Sequence, residues 1–281
     1  MYPVLFHIGP IPVYSYGLML GVAFMVANLL ITNELRRRGD DPNLATTVTM
    51  FALIGGILGA KLFHIFENFG EFAANPRDML LSSGGLTWYG GFLIATLLIF
   101  LYFRRKHLVM MAFADIAAPA LAIGYGFGRV GCQLAGDGDY GIPSNLPWAM
   151  TYTNGTVPTL SALNPQLADK FMELFPNTPI PVDIAVHPTP IYEIILAVVV
   201  FTFLYVRRTR SLPLANQFGW FLILHSIARF FVEFIRLNSH LMLGLSQAQV
   251  ISIGLIGWGV YLVMHPTAPT SELRRAPSRR T

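Results

Sequence analysis

Charge is what this chain has least of. Asp, Glu, Lys and Arg together make up 12% of the 281 residues, about half their share in an ordinary soluble domain. A water-facing surface is not covered at that density. With 54% of residues hydrophobic, the chain reads as a polytopic membrane protein, long enough for one helix bundle plus a modest insertion outside the bilayer. Cysteine is nearly absent: the single Cys132 excludes an intrachain disulfide and a cysteine-based zinc cluster. No positive region precedes the first apolar run, so the N-terminus is not expected to be a cleaved signal peptide. There is no G-x-S-x-G elbow and no H-E-x-x-H pair, which removes the serine-hydrolase and zincin readings. No internal repeat is evident, and the paired broken helices of secondary transporters find no match.

What is present is a series of long apolar runs. Seven segments of membrane length fall at about 14–35, 46–66, 87–103, 112–133, 188–206, 216–236 and 246–264, so the expected fold is all-α: a single membrane domain, a bundle of seven transmembrane helices. Basic residues cluster at alternate ends of these runs. Arg36, Arg37 and Arg38 follow the first, Arg104, Arg105 and Lys106 the third, Arg207, Arg208 and Arg210 the fifth, and Arg274, Arg275, Arg279 and Arg280 the seventh. By the positive-inside rule these ends face the cytoplasm, the N-terminus lies outside, and residues 265–281 form a cytoplasmic tail. The formal charge of +4 is then topological; anchoring on anionic lipid explains it and nucleic-acid binding is not expected. Residues 134–187, rich in Pro, Asn, Thr, Gly and Asp, form an extracytoplasmic cap insertion with a short helix near Leu167–Leu174. Asn154-Gly155-Thr156 is a glycosylation sequon at chance frequency for such a loop.

Against that apolar background a few charged residues stand out. Gly124–Gly131 reads Gly-Tyr-Gly-Phe-Gly-Arg-Val-Gly. Gly126, Gly128 and Gly131 satisfy G-x-G-x-x-G, but no strand precedes them and no βαβ unit surrounds them, so a dinucleotide site is rejected. Close helix packing explains the glycines. It does not explain Arg129, a guanidinium at bilayer depth costing roughly 2.5–3.5 kcal/mol on insertion scales; such a residue holds an anion or bonds backbone carbonyls. Arg229, Glu233 and Arg236, at spacings of four and three, share one helix face, with His225 one turn earlier. If Glu233 pairs with Arg236, Arg229 keeps donors for a ligand; a salt-bridged staple between helices is the equal alternative.

The remaining motifs carry structural and functional readings side by side. In His187-Pro-Thr-Pro-Ile-Tyr-Glu193, Pro188 and Pro190 suit a first helical turn, Thr189 is a plausible cap, and Glu193 is favoured by the helix dipole. Gly84-Gly85-Leu-Thr-Trp88-Tyr89-Gly90-Gly91 enters the third span: the aromatics suit an interfacial belt, as do Tyr14 and Tyr16, and the glycines point to a bend or a close approach. Lys61, His64 and Glu67 end the second span; His64 and Glu67 lack further ligands, so no metal site and no cofactor is expected. Asp137 and Asp139 either order the loop after the fourth span or orient a substrate hydroxyl. Cys132 is read as buried packing.

These motifs together resemble the bacterial prolipoprotein diacylglyceryl transferases over nearly the whole chain. Gly128-Arg129-Val-Gly131-Cys132-Gln-Leu-Ala-Gly136-Asp137-Gly138-Asp139-Tyr140-Gly141 is similar to that family's signature, His187-Pro-Thr-Pro-Ile-Tyr-Glu193 to its H-P-T-Q-L-Y-E, Arg229-Phe-Phe-Val-Glu233-Phe-Ile-Arg236 to its R-F-x-V-E-x-x-R, and Tyr16-Gly17-Leu18-Met19 to its Y-G-L-M. The chain departs from it at Tyr89, where histidine is common and regarded as catalytically important, and at Cys132, His225 and Pro190. The resemblance implies transfer of a diacylglyceryl group from phosphatidylglycerol to the lipobox cysteine thiol of a preprolipoprotein, in the inner membrane, forming a thioether and releasing glycerol phosphate. The expected catalytic residues are Arg129, Arg229, Glu233, Tyr89 and His225. Tyr16, Gly141, Asp137, His187, Glu193 and Arg236 join Arg129 and Arg229 in substrate binding. Phospholipid and signal peptide are both expected to approach from the bilayer plane. A transporter for an anionic solute and a catalytically silent phospholipid-binding homologue are the competing classes.

Overall fold

The computed structural model describes residues 1–81, 87–238, 240–242, 244–266 and 273. Gly84, Gly85 and the tail arginines Arg274, Arg275, Arg279 and Arg280 lie outside the described residues. The chain opens with a hairpin, β1 (Val4–Ile8) against β2 (Ile11–Tyr14), then runs through α1 (Ser15–Arg38), α2 (Asn43–Glu67), the short α3 (Phe69–Ala74) and α4 (Pro76–Leu81), α5 (Trp88–Arg105), α6 (Met110–Ala135), α7 (Pro165–Leu174), α8 (Thr189–Arg207) and α9 (Asn216–Val232). A 3-10 turn at Glu233–Ile235, a ribbon of β3 (His240–Met242) and β4 (Leu245–Ser246), and α10 (Gln247–Met264) complete it.

Six of the helices, α1, α2, α6, α8, α9 (with its 3-10 turn) and α10, are long and apolar enough to cross a membrane. The expected third span is present as α5, but this 18-residue helix, with Arg104 and Arg105 in its last turn, is not among the six. The expected sixth span, 216–236, stops being α-helical at Val232. Arg236 follows the 3-10 turn in extended backbone, φ −99° and ψ 157°, and so does not share a continuous helix face with Arg229.

The chain divides into two compact units. One comprises Met1–Ala27 and Asp115–Pro269. Its membrane core packs Ala118 and Ala122 of α6 on Val200 and Leu204 of α8, with Phe201, Trp220, Phe221 and Leu224 around them. Asp115, buried in α6, accepts hydrogen bonds from Ala215 N at 2.7 Å and Phe218 N at 2.8 Å. An anion thus meets the orphan amides and positive dipole end of α9. Gly126 and Gly131 explain themselves by packing: a methyl at Gly126 would meet Ala197 Cβ at 3.2 Å, and one at Gly131 would meet Tyr16 Cδ2 at 3.2 Å and Met19 Cβ at 3.3 Å. In α10, Ser246 and Gln249 form a capping box.

The segment between α6 and α8 is folded around its own core of Tyr140, Tyr152, Leu167, Ala168, Phe171, Ile184 and Val186. Its one helix, α7, begins where Asn164 accepts from Leu167 N and Pro165 occupies the first turn. Thr159, fully buried, accepts from Tyr152 N at 2.7 Å and donates to Asp183 at 2.5 Å. The other unit, Asn28–Ala114 with Leu273 among the described C-terminal residues, is built on α2 against α5. Gly90 and Gly91 make that contact possible: a methyl at Gly91 would meet Gly56 O at 2.7 Å, and one at Gly90 would overlap Phe63 and Gly59 O.

Candidate active site

The site is assembled within the first unit from α6, the start of the following loop, α8, and the end of α9. Arg129 on α6 lies with its guanidinium 4.9 Å from the centroid of the Tyr125 ring, one turn earlier. Its Nε is 3.2 Å from Glu193 Oε2, and its Nη1 donates to Asp139 Oδ2. Arg229 on α9 donates from Nη1 to Glu193 Oε1 at 2.9 Å, and its Nη2 is 2.9 Å from Glu233 Oε2. Arg236 donates from Nη2 to Asp139 Oδ1 and from Nη1 to Glu193 Oε2 at 3.5 Å. Three guanidiniums and three carboxylates therefore alternate in one connected network.

Glu193 is its hub. Its side chain is 2% exposed, it touches all three arginines, and it accepts from Tyr125 Oη at 2.5 Å. A carboxylate buried at membrane depth is tolerable only when paired and hydrogen-bonded in this way. Glu233, 1% exposed, is the anchor. Its Oε1 accepts from Asn238 Nδ2 at 2.6 Å and from Ser246 Oγ at 2.8 Å, leaving Oε2 to Arg229 and, at 3.8 Å, to Arg236. Of the two arginines that Glu233 can pair with, Arg229 is the closer, at 2.9 Å against 3.8 Å for Arg236, and each of the three arginines faces a carboxylate.

Asp139 closes the ring from the loop side. Burial pushes its carboxyl up, but the guanidiniums of Arg236 and Arg129 outweigh this and hold it at about 2. Its backbone is pinned: Asp139 O accepts from Thr189 Oγ1 at 2.5 Å and its N donates to Asp137 Oδ1 at 3.3 Å. Thr189 therefore does not cap α8 but ties its first turn to this loop. Gly141 N donates to His187 O at 2.9 Å and Ile142 N to Ile235 O at 2.8 Å. A methyl at Gly141 would meet His187 Cβ and Thr189 Cγ2 at 2.9 Å each. Glycine is required here because three chain segments cross at its α-carbon. His187 approaches Tyr192 Oη with Nδ1 at 3.3 Å, and burial holds its imidazole below the usual histidine range.

His225 is half-buried on α9, stacked on Phe221 and edge-on to Tyr125 at 4.5 Å. With Tyr125, Glu193 and Arg229 it lines a cavity of about 10 Å³, room for a single water. A second hollow, about 130 Å³, lies beyond Arg236 and is lined by Gly138, Tyr140, Asn164 and Asn238 among others. Cys132 is buried with its Sγ 3.4 Å from Asp139 Oδ2. Cys132, Asp137 and Asp139 offer ligand atoms within 4.8 Å of one another, but Asp139 already faces two guanidiniums, whose charge opposes a cation there. Tyr89 belongs to the other unit, at the start of α5, with 42% of its surface exposed.

The structure thus brings Arg129, Arg229, Arg236, Glu193 and Glu233 together, sets Asp137 beside them through Asp139, and packs Tyr16 on Gly131 of the same helix as Arg129. Tyr125 was missed by sequence reasoning, although its i, i+4 spacing to Arg129 was the available signal. The hub role of Glu193 was missed because its own neighbours offer a sufficient helix-dipole explanation.

Six helices long and apolar enough to cross a membrane, with three arginines and three carboxylates interlocked at their ends and in the adjoining loop, place this chain among multi-pass membrane proteins with a buried charged site. Residues 3–265 match the family described as prolipoprotein diacylglyceryl transferase, and the chain belongs to that family. It is 30% identical over 261 residues to a phosphatidylglycerol–prolipoprotein diacylglyceryl transferase of Dehalococcoides mccartyi, covering 92% of this chain and 91% of that one. Proteins of the same name from Clostridium tetani (28% over 263 residues, 93% and 96% covered) and Trichormus variabilis (30% over 266 residues, 92% and 87% covered) are similar to it.

Proposed function

We propose that this chain transfers the diacylglyceryl group of phosphatidylglycerol to the lipobox cysteine of a preprolipoprotein. The observation that carries this reading is the convergence of Arg129, Arg229 and Arg236 on one buried carboxylate, in a chain of this family. The thiolate sulfur forms a C–S bond to the glycerol carbon that bears the phosphate. That carbon's C–O bond breaks, and its electron pair leaves on glycerol phosphate. Negative charge gathers on the leaving phosphate, where guanidiniums fixed in advance stabilise the transition state more than the ground state. Arg129 and Arg229 supply those forks, and Arg236 completes them. Glu193 and Glu233 hold them in place. His225, beside the small cavity, is the candidate acceptor for the thiol proton, because both oxygens of Glu233 are engaged. Tyr89 is the candidate donor to the phosphate or the glycerol hydroxyls. Tyr16, Asp137, Gly141 and His187 shape the headgroup region.

In this reading the chain is a seven-span protein of the bacterial inner membrane, with its N-terminus outside, α5 as the third span, and residues 134–187 as a cap over the site. The basic ends of α1, α5 and α8 support that orientation. Both substrates arrive laterally from the bilayer. The cavity of one-water size implies that side chains or helices part before a headgroup enters.

The test is transfer of lipid from phosphatidylglycerol vesicles to a lipobox peptide, read as thioether product and released glycerol phosphate. Arg129→Lys and Arg229→Ala are expected to lose at least 100-fold in turnover while staying folded, the scale on which removal of one preorganised donor acts. Normal transfer by both variants would falsify the assignment. Solute flux without alkylation would favour a transporter, and phosphatidylglycerol binding without turnover a silent homologue.

A further inference from the structure

The charges of the network cancel: three guanidiniums face Asp139, Glu193 and Glu233. A lipid phosphate therefore meets cations that are already paired, and the three carboxylates it competes with differ sharply in how they are held. Glu193 has three arginines and the Tyr125 hydroxyl on it and is 2% exposed. Glu233 has Arg229, Asn238 and Ser246 on it and is 1% exposed. Asp139 is 30% exposed, and its carboxylate is held chiefly by the two guanidiniums it bridges.

The bridge has a particular form. Oδ2 sits on Arg129 Nη1 and Oδ1 on Arg236 Nη2. Two oxygens of one tetrahedral phosphate can make the same two contacts, since guanidinium geometry serves carboxylate and phosphate alike. Asp139 is fixed through its backbone, by Thr189 and Asp137, so its side chain can rotate without unfolding the loop. Gly138, next to it, lines the 130 Å³ hollow that also reaches Arg236 and Asn238. That hollow holds roughly four waters at about 30 Å³ each, space for a small phosphorylated headgroup beside Arg236.

We propose that Asp139 is a resident stand-in for the substrate phosphate: in the empty enzyme its carboxylate occupies the Arg129–Arg236 pair, and a phosphate mono- or diester takes its place as the side chain rotates away. The proposal rests on the transferase reading for the nature of the anion. Its consequence is that Asp139 competes with ligand. It lowers the affinity for phosphate while keeping two half-buried arginines neutralised between turnovers, and its return displaces the released glycerol phosphate.

A positioning role for Asp139 and a competing role predict opposite signs. The experiment is calorimetric titration of the purified full chain with glycerol phosphate at fixed ionic strength. Asp139→Asn is expected to bind at least tenfold more tightly than wild type, whereas Asp169→Asn, the same charge removed from an exposed position on α7, should shift affinity less than threefold. Unchanged or weaker binding by Asp139→Asn overturns the proposal, as does an equal gain in Asp169→Asn. If Asp139→Asn unfolds when empty, glycerol phosphate at roughly 100 times the wild-type dissociation constant should restore its Tm to the wild-type value; absence of rescue overturns the proposal equally. Binding is read without the transfer reaction. A wild type that binds tightly but never transfers lipid sinks the transferase reading alone, and one that transfers while Asp139→Asn gains no affinity sinks the stand-in alone.

Discussion

At the scale of single residues, this chain concentrates much of its charge chemistry on six side chains. Arg129, Arg229, Glu233 and Arg236 were legible in the sequence because a charged residue within an apolar run is costly and so marks itself. Glu193 was legible only as a helix-terminal acid, and Asp139 only as a loop residue with two possible duties. Neither partner of a long-range ion pair carries a sequence mark of the other: Asp139 and Arg236 stand 97 positions apart. Removing the hub should be severe. Glu193→Gln leaves three half-buried arginines short of one charge and is expected to cost about 3–5 kcal/mol, read as a large drop in Tm in detergent; an unchanged Tm would refute the hub assignment. Acid should act through Asp139. Its folded pKa, about 2, lies below the ordinary value near 3.9, so its stabilisation is complete above about pH 4 and is lost as pH falls from there towards 2. Unfolding titrations of wild type against Asp139→Asn should diverge above that window and converge below it.

At the scale of elements, the apolar runs fixed where helices lie, because period and length are local properties. All seven expected runs contain a helix, and the short one foreseen near Leu167–Leu174 is α7. What local pattern did not reveal is where a helix stops for a tertiary reason. The α9 pattern runs on to Arg236, yet the helix ends at Val232 and a 3-10 turn carries Arg236 to the Gly141 segment. The glycines of the third span likewise serve contact rather than bending alone: Gly90 and Gly91 meet α2 directly. Gly90→Val should therefore destabilise the second unit by about 1–3 kcal/mol. Gly56→Ala, where nothing lies within 4 Å of the added carbon, should be neutral or slightly stabilising. Equal Tm values for both variants would contradict this packing account.

At the scale of the whole molecule, the chain is two compact units, with the arginine network in one and Tyr89 in the other. With Tyr89 as the candidate donor to the phosphate or the glycerol hydroxyls, Tyr89→Phe should lower turnover roughly 10- to 100-fold, the worth of one hydrogen bond to a charged group, and weaken glycerol phosphate binding in the same direction. Turnover equal to wild type would remove Tyr89 from the mechanism.

The sequence by itself determined that the protein lives in a membrane, where its helices run and which arginines are out of place there, since hydropathy and the cost of buried charge are read one segment at a time. Only the tertiary structure decided that these arginines are already neutralised, by which carboxylates, and that Asp139 is the least enclosed of the three, because pairing across helices depends on side chains that meet in space and leave no trace in spacing along the chain.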